Sequence, residues 1–243
     1  MKYRIALVDY LNALPFSEGL RLSGLEEEME IHRVNPAECA VLFQKELVDI
    51  SLCPVGALED MPVHDVVGEY CIGADGDVET VVLLSHVPIH KIEKVRLDEH
   101  SRTSNKLVQI LADRYWQTNW KYYFDENEKQ PLSCVMIGDK VFAQKKNYPF
   151  RNDLAGEWKA MTGLPMVFAV WIAKPGIPPE IIQKLDDAFR LGLDFIRSPE
   201  CLLPEAQKKY LLNNISYPFD RRKKEAMQLY LQYADSLVST PSA

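Results

Sequence analysis

Four short segments place small polar side chains just past apolar runs, and these are the candidates for binding or catalysis. In α/β sheets, ligands bind beyond the carboxyl ends of strands, where such side chains can reach them. Each segment also has a purely structural explanation, because Asn, Ser and Thr cap helices and Gly-Asp pairs form turns. The segments are residues 9–12 (Asp-Tyr-Leu-Asn), 79–80 (Glu-Thr), 101–104 (Ser-Arg-Thr-Ser) and 138–139 (Gly-Asp).

The segment 101–104 has the most defined chemistry of the four. Ser101, Thr103 and Ser104 supply hydroxyls and Arg102 supplies a guanidinium, at the predicted start of a helix. Hydroxyls and free backbone N–H groups at a helix N-terminus attract an anion, and the helix dipole favours it further. The pattern suits a carboxylate, a phosphate also fits, and simple capping of the helix is the alternative.

Several other chemistries lack their sequence motifs. The chain has no Gly-x-Gly-x-x-Gly or Gly-x-x-x-x-Gly-Lys-Ser/Thr motif for nucleotides, and no Gly-x-Ser-x-Gly elbow typical of serine hydrolases. Its five histidines show no His-Glu-x-x-His spacing, and its five cysteines form no Cys-x-x-Cys pair. We therefore predict no metal, no nucleotide cofactor, and buried free thiols in a reducing cytosol.

Charge and hydropathy exclude further classes. The 243-residue chain carries 28 Lys and Arg against 35 Asp and Glu, a net charge of −7, which argues against nucleic acid or anionic lipid as the main partner. No apolar run approaches the roughly 18 residues of a membrane helix, and Asp9 interrupts the N-terminus too early for a signal peptide. We expect a cytoplasmic protein with one large or two small domains. The basic run 221–224 is predicted to form the solvated start of a helix.

Alternating strand and helix signals predict an α/β fold with mixed or mostly parallel sheets. Residues 3–8 are typical of a buried strand, and Asn35, Pro36 and Glu38 carry the signals of an N-cap, a first turn and a capping box. A strand at 49–55 completes a strand–helix–strand unit. We further predict strands at 65–72, 80–85, 95–98, 131–137 and 166–173, helices after 101, from 179 and over 226–237, a linker at 174–179, and a loose tail after 238.

Five motifs occur together and in a fixed order. They are Tyr-Leu-Asn-Ala-Leu-Pro-Phe at 10–16, Asp-Ile-Ser-Leu-Cys-Pro-Val at 49–55, Leu-Asp and Ser-Arg-Thr-Ser within 97–104, Ile-Gly-Asp at 137–139, and Trp158 followed by Thr-Gly-Leu-Pro-Met-Val-Phe-Ala-Val-Trp at 162–171. This set resembles the chorismate dehydratase family of the futalosine route to menaquinone. The resemblance covers about the first three quarters of the chain.

The resemblance implies a fold, an activity and a location. The fold is a periplasmic-binding-protein-like fold of type II, with two α/β lobes and a ligand cleft between them. The first lobe is expected at 1–86 plus 175–243 and the second at 87–174, with crossings near 85–88 and 173–175. The family acts in the cytoplasm without a cofactor. It converts chorismate, its small-molecule substrate, to 3-[(1-carboxyvinyl)oxy]benzoate by eliminating water.

The resemblance also implies roles for individual residues. Asn12 is expected to orient the substrate or to hydrogen-bond the departing hydroxyl. Thr80 stands where the family commonly has Ser, so this chain keeps the hydroxyl but adds a methyl group. Asp139 is expected to fix its loop, because a carboxylate repels an anionic substrate. The expected substrate-binding set is Ser101, Arg102, Thr103, Ser104, Gly138 and Asp139.

The general base and two other functions stay open at this stage. Asp9, Asp139 and His86 are candidate bases by residue type, and a carboxylate of the substrate is the fourth candidate. A small-molecule binding protein on the same fold is the alternative from another class, because fold does not decide function. The sister enzyme that acts on a cyclic futalosine derivative ranks third, since its family opens on a Ser/Cys-Pro-Asn-Asp type segment that residues 10–13 do not match.

Overall fold

The computed structural model describes residues 2–125 and 127–238, so the predicted loose tail after 238 lies outside the described residues. The strands in chain order are β1 (Arg4–Val8), β2 (Glu30–Val34), β3 (Ile50–Pro54), β4 (Asp65–Ala74), β5 (Val81–Ser85), β6 (Lys94–Arg96), β7 (Lys121–Tyr123), β8 (Ser133–Ile137), β9 (Phe150–Asp153), β10 (Met166–Ala173) and β11 (Ser216–Pro218). The α-helices are α1 (Leu14–Leu22), α2 (Leu25–Glu28), α3 (Pro36–Gln44), α4 (Arg102–Arg114), α5 (Lys140–Gln144), α6 (Leu154–Thr162), α7 (Pro179–Arg197), α8 (Glu205–Lys209) and α9 (Arg221–Val238).

The elements with strong local signals form where the sequence predicts them. The seven predicted strands correspond to β1, β3, β4, β5, β6, β8 and β10. The capping box of α3 is present, because Asn35 Oδ1 accepts the Glu38 N–H at 2.9 Å and Glu38 Oε2 accepts the Asn35 N–H at 3.1 Å. Strands β2, β9 and β11 were not predicted. β2 and β9 contain no fully buried residue and mix polar with apolar side chains, and β11 has only three residues, so all three lack the apolar run that marks a buried strand.

The chain divides into two compact units. The first unit contains the residues up to Gly73 together with Val167–Asp220, and the second contains Ala74–Met166 together with the residues from Arg221 onward. The chain therefore changes unit at 73–74, at 166–167 and at 220–221. These bounds differ from the expected lobes at 1–86 plus 175–243 and at 87–174, most of all for the C-terminal helix.

The first unit is built on a six-stranded mixed sheet in the order β11-β4-β10-β3-β1-β2. Strand β1 pairs in parallel with β2 and β3, whereas β10 pairs antiparallel with β3 and β11 antiparallel with β4. Helices α1 and α7 pack against each other in this unit, with Phe16 and Phe189 fully buried between them and the sheet residue Trp171. The carboxyl end of β1 leads directly into the segment that carries Asn12.

The second unit is built on a five-stranded mixed sheet in the order β7-β6-β8-β5-β9. Strand β6 is parallel to β7 and β8, and β5 is antiparallel to β8 and β9. As a result, the carboxyl ends of β6 and β8 and the amino end of β5 lie at one edge of this sheet. We call this the β6/β8 edge; it carries the starts of α4 and α5.

Helix α9 packs within the second unit, which explains the difference in the C-terminal bounds. Tyr230 is buried, and its hydroxyl donates to the main-chain oxygen of Thr103 at the start of α4, at 3.0 Å. Its ring also contacts Trp158 of α6 edge to face. The basic run 221–224 does begin a helix, but the prediction that it is solvated is wrong for Lys223, which is only 2% exposed.

Two further sequence predictions concern thiols and membrane helices. The five cysteines are free and buried, as predicted. Among the described residues, no helix combines the length and the apolar character needed to cross a membrane. The same residues hold no cluster of three His, Cys, Asp or Glu side chains that could bind a metal ion.

Asp49 anchors the amino end of β1 through an ionic network. Its carboxylate accepts hydrogen bonds from Arg4 Nη2 at 2.6 Å, Arg4 Nε at 3.1 Å and the Arg4 N–H at 3.1 Å, and it pairs with Lys174 Nζ at 3.1 Å. Burial raises the pKa of Asp49, but the hydrogen bonds from Arg4 and Lys174 outweigh it and lower the pKa to about 2. The unfolded chain has a higher pKa near 3.9, so the ionised carboxylate stabilises the fold above that pH.

Replacing Asp49 by Asn is expected to lower the free energy of unfolding by about 2 kcal/mol at pH 7. Because the native pKa lies below the unfolded one, this stabilisation is lost as the pH falls, and the difference from wild type shrinks by about half at pH 3. Urea unfolding at both pH values measures it. Asp194→Asn, which breaks an exposed pair with Arg197, is the control and is expected to cost under about 0.5 kcal/mol. An equal loss at both pH values would contradict the ionic explanation.

Candidate functional site

The four predicted segments belong to two places in the fold. Residues 9–12 follow β1 in the first unit, whereas residues 79–80, 101–104 and 138–139 belong to the second unit.

Asn12 lies in a single 3₁₀ turn, Leu11–Ala13, between β1 and α1. It does not cap a helix, because α1 begins at Leu14 with Ala13 at its N-cap and no side-chain cap. Its Oδ1 atom is buried and has no hydrogen-bond partner among the described residues. A buried acceptor without a partner is costly, so such an atom in a native structure points to a ligand or water that completes it.

The main chain at Asn12 is held by a residue that the sequence analysis did not select. The buried Tyr217 of β11 donates its hydroxyl proton to the Asn12 carbonyl oxygen at 3.0 Å. The Tyr217 ring contacts Phe16 edge to face, with centroids 5.5 Å apart. Asn12 and Tyr217 are 205 positions apart in the sequence, so no local spacing could reveal this hydrogen bond. Asp9, a candidate base, is exposed, and its N–H donates to Val34.

The three segments of the second unit meet at the β6/β8 edge. The Gly138 N–H donates to the Thr80 carbonyl oxygen at 2.9 Å, which joins the end of β8 to the start of β5. Asp98, after β6, accepts the N–H of Ile137 at 3.3 Å and so joins the ends of β6 and β8. The strand directions therefore bring residues 79–80, 101–104 and 138–139 together in one unit, whereas the expected lobe bounds had placed 79–80 apart from the other two segments. Thr80 is buried.

The segment 101–104 forms the start of α4, and Ser101 caps the N-terminus of this helix. Ser101 Oγ accepts the Ser104 N–H at 3.1 Å, and the Ser101 hydroxyl donates to Ser104 Oγ at 2.7 Å. Because Ser101 is the donor of that bond, the Ser104 hydroxyl proton is available for another acceptor. Ser101, Thr103 and Ser104 are buried, and Arg102 is half-buried. Capping and anion binding are compatible here, since both use the same helix N-terminus.

Asp98 is the charged centre of this edge and had no role in the sequence analysis beyond its motif. Its nearly buried carboxylate accepts the His100 N–H at 3.1 Å and pairs with Lys140 Nζ at 2.6 Å. The Asn105 side chain makes two hydrogen bonds to the Asp98 main chain. Its Oδ1 accepts the Asp98 N–H at 3.0 Å, and its Nδ2 donates to the Asp98 carbonyl oxygen at 2.8 Å. A cavity of about 240 Å³ lies beside it, lined by Arg96, Leu97, Asp98, Glu99, His100, Asp125 and Lys140. These contacts hold the loop that precedes Ser101.

Gly138 and Asp139 form the turn between β8 and α5. Gly138 is buried with φ +73°, a conformation that favours glycine, and its carbonyl oxygen accepts the Val141 N–H at 3.0 Å. Asp139 is exposed, its side chain does not cap α5, and its carbonyl oxygen accepts the Phe142 N–H at 3.2 Å.

His86 lies at the other end of β5 from these residues. Strand β5 separates Thr80 from His86 by roughly 20 Å, at about 3.3 Å per residue. The His86 ring is exposed and packs on Tyr148, with centroids 4.6 Å apart. The structure therefore separates this candidate base from the β6/β8 edge.

Asp153, the N-cap of α6, supports the backbone before Thr80 and was not selected from the sequence. Its carboxylate accepts the N–H groups of Val78 at 3.1 Å and Glu79 at 2.6 Å. Burial raises the pKa of Asp153 to about 6, against the effect of these hydrogen bonds, and the nearby Asp77 raises it further. The carboxyl is therefore mostly ionised, and able to accept hydrogen bonds, at pH 7.

The two mixed α/β units define a class of protein, and the solved structures agree. Protein AF1704 from Archaeoglobus fulgidus is similar, with a TM-score of 0.75 at 12% identity over 98% of both chains. The Candida albicans CA3427 product, described as having the generic periplasmic binding protein structural fold, matches with a TM-score of 0.66 at 10% identity over 99% of this chain and 92% of that one. The Escherichia coli aliphatic sulphonate binding protein SsuA gives 0.63 at 14% identity over 98% and 91%. The fold is that of the periplasmic binding proteins, as predicted.

The family follows from the sequence comparisons. The family model described as menaquinone biosynthesis matches residues 3–236, so the chain belongs to that family. The chain is also 28% identical over 224 residues to the chorismate dehydratase of Thermus thermophilus, covering 80% of this chain and 79% of that protein. The resemblance stated from the five motifs is confirmed.

Proposed function

We propose that this protein is a cytoplasmic chorismate dehydratase of the futalosine route, a carbon–oxygen lyase that produces 3-[(1-carboxyvinyl)oxy]benzoate and water. Membership of the menaquinone biosynthesis family and the similarity to a chorismate dehydratase support the proposal. The observation that carries it is the buried amide oxygen of Asn12 at the carboxyl end of β1, which has no hydrogen-bond partner within residues 2–125 and 127–238. The family motif at 10–16 places an asparagine at that position.

The proposed reaction makes modest demands on the protein. Chorismate loses the proton on ring carbon C3 and the hydroxyl on C4, and the two leave together as one water. The cyclohexadiene becomes a benzene ring, so aromatisation drives the elimination. The protein has to hold two carboxylates, orient the ring and stabilise the departing hydroxyl.

The proposed binding group for a substrate carboxylate is the start of α4. The Ser104 hydroxyl has a proton to donate, the helix dipole favours an anion there, and Arg102 is half-buried beside it. The nearby Asp98 does not oppose this role, because its charge is neutralised by Lys140 at 2.6 Å.

The proposed roles of Asn12 and Thr80 concern the reacting ring. An amide has no useful basicity, so Asn12 does not take the proton; its Oδ1 orients the substrate by accepting a hydrogen bond from the C4 hydroxyl. The Thr80 hydroxyl keeps the donor that the family commonly provides with Ser. Gly138, which bonds to the Thr80 carbonyl, holds the strand end at that position.

For the general base, we propose a carboxylate of the substrate. Asp9→Asn, Asp139→Asn and His86→Ala are each expected to keep kcat within about threefold of wild type, whereas loss of a true base costs on the order of 10²-fold or more. Steady-state kinetics with chorismate measures this. A collapse of kcat in one variant, with chorismate binding unchanged, would assign the base to that residue instead.

The experiment that tests the function is direct. Purified protein is mixed with chorismate, and the products are followed by chromatography with mass detection and by ultraviolet absorbance. We expect an aromatic species that is lighter by one water, formed at a rate that depends on Asn12. Chorismate that binds but is recovered unchanged would instead make the chain a small-molecule binding protein on this fold. Chorismate that neither binds nor reacts would contradict the proposal.

A further inference from the structure

The segment 75–80 leads into β5 and ends at Thr80 without regular secondary structure. Within it, Glu79 has φ +66°, a left-handed conformation that is unfavourable for a residue other than glycine. A strained backbone persists only where its surroundings hold it in place. The position of Thr80 therefore depends on groups outside the segment.

The carboxylate of Asp153 holds this segment. Its Oδ2 accepts the Glu79 N–H at 2.6 Å, and its Oδ1 accepts the Val78 N–H at 3.1 Å. The same Oδ1 caps α6, accepting the N–H groups of Ala155 at 3.1 Å and Gly156 at 3.2 Å. One side chain thus joins the segment to the first turn of a helix through four backbone donors.

Helix α6 supports the segment at two further points. Lys159, one turn after Gly156, donates to the Asp75 carbonyl oxygen at 3.0 Å and pairs with the Asp75 carboxylate at 3.0 Å. A Cβ atom at Gly156 would lie 2.0 Å from Asp77 Oδ1, so the segment rests directly on the helix at a position without a side chain. The sheet fixes Asp153 in turn, because it pairs with Val82 of β5.

From these contacts we infer that Asp153 is a positioning residue for Thr80, holding the Glu79 backbone in its left-handed conformation so that the Thr80 hydroxyl is aimed at the substrate. This inference rests on the role of Thr80 in the proposed function. Asp153 itself does not take part in the chemistry. Asp153 acts on Thr80 through the N–H groups of Val78 and Glu79, the two residues that precede Thr80.

The variant Asp153→Asn separates this role from helix capping. Asparagine caps helices as well as aspartate does, so its oxygen can keep the bonds at Oδ1. Its NH₂ group then faces the Glu79 N–H, and two donors cannot bond. We expect kcat for chorismate to fall about tenfold with KM within about twofold, since small displacements of a positioned group cost rate. Amide hydrogen exchange at Glu79, measured by NMR, is expected to become about tenfold faster.

Three controls accompany this variant. Asp49→Asn makes the same chemical change in the first unit, far from the segment in sequence, and is expected to keep the wild-type kcat. Thr80→Val removes the hydroxyl and is expected to lower kcat by at least as much as Asp153→Asn. Because Asp153 acts through Thr80, the double variant is expected to match Thr80→Val within about twofold rather than show the product of both effects.

The outcomes distinguish this inference from the proposed function. If the wild type dehydrates chorismate, any of three results would overturn the positioning role. These are a wild-type kcat in Asp153→Asn, multiplicative effects in the double variant, and a loss of kcat in Asp49→Asn equal to that in Asp153→Asn. If the wild type does not dehydrate chorismate, the proposed function fails. The exchange rate of the Glu79 amide then decides: a tenfold rise in Asp153→Asn supports the positioning of the segment, and an unchanged rate overturns it.

Discussion

Replacing Asn12 by Ala is expected to lower kcat for chorismate dehydration by about 10²-fold, because Asn12 orients the reacting ring and a misplaced reacting group costs rate on that scale. The fold is expected to tolerate this change unusually well. Asn12 Oδ1 is buried without a partner among the described residues, so its removal breaks no hydrogen bond and relieves an unfavourable burial. The free energy of unfolding is therefore expected to stay within about 0.5 kcal/mol of wild type or to rise.

Two further variants sharpen this experiment. Asn12→Asp keeps the shape of the side chain but adds a negative charge facing an anionic substrate, so it is also expected to lose most activity. Asn213→Ala makes the same change as Asn12→Ala at an exposed position and is expected to keep the wild-type kcat. If Asn12→Ala kept kcat within about threefold, or lost more than about 1 kcal/mol of stability, Asn12 would be a structural residue and the site would lie elsewhere.

The second large effect is expected for Gly192→Ala, which tests how the fold positions Asn12. A Cβ atom at Gly192 of α7 would lie 1.8 Å from the Pro15 oxygen and 2.7 Å from the Gly19 nitrogen of α1. Both neighbours are backbone atoms, so relief requires the helices to move apart. We expect a loss of about 3 kcal/mol in the free energy of unfolding, at the upper end of the usual cost of overpacking.

Gly192→Ala is also expected to reduce turnover, because α1 starts two residues after Asn12 and a shift of Pro15 moves the 3₁₀ turn with it. Urea unfolding and steady-state kinetics measure the two effects. Leu191→Ala changes the neighbouring residue of the same helix, which is 43% exposed, and is expected to cost under about 1 kcal/mol with normal turnover. Similar stabilities of Gly192→Ala and Leu191→Ala would contradict the close contact of the two helices.

Much of this protein could be predicted from its sequence where the signal is local. The apolar run of β1, the capping box of Asn35 and Glu38, and the start of α7 at Pro179 each depend on residues within one strand or one helical turn. The order of five short motifs sufficed to indicate the family, and the family model agrees over residues 3–236. The candidate residue Asn12 came from those motifs, and Thr80 came from its match to the position where the family commonly has Ser.

The tertiary structure alone decided which groups support those candidates. Tyr217 reaches the Asn12 carbonyl across 205 positions, and Asp153 holds the Val78 and Glu79 N–H groups across more than 70. The tertiary structure also determines that Lys223 is buried and that α9 lies in the second unit, beside Thr103. Periodicity and capping report interactions within a few residues, whereas these contacts exist only after both sheets have formed and brought distant backbone groups within hydrogen-bond distance.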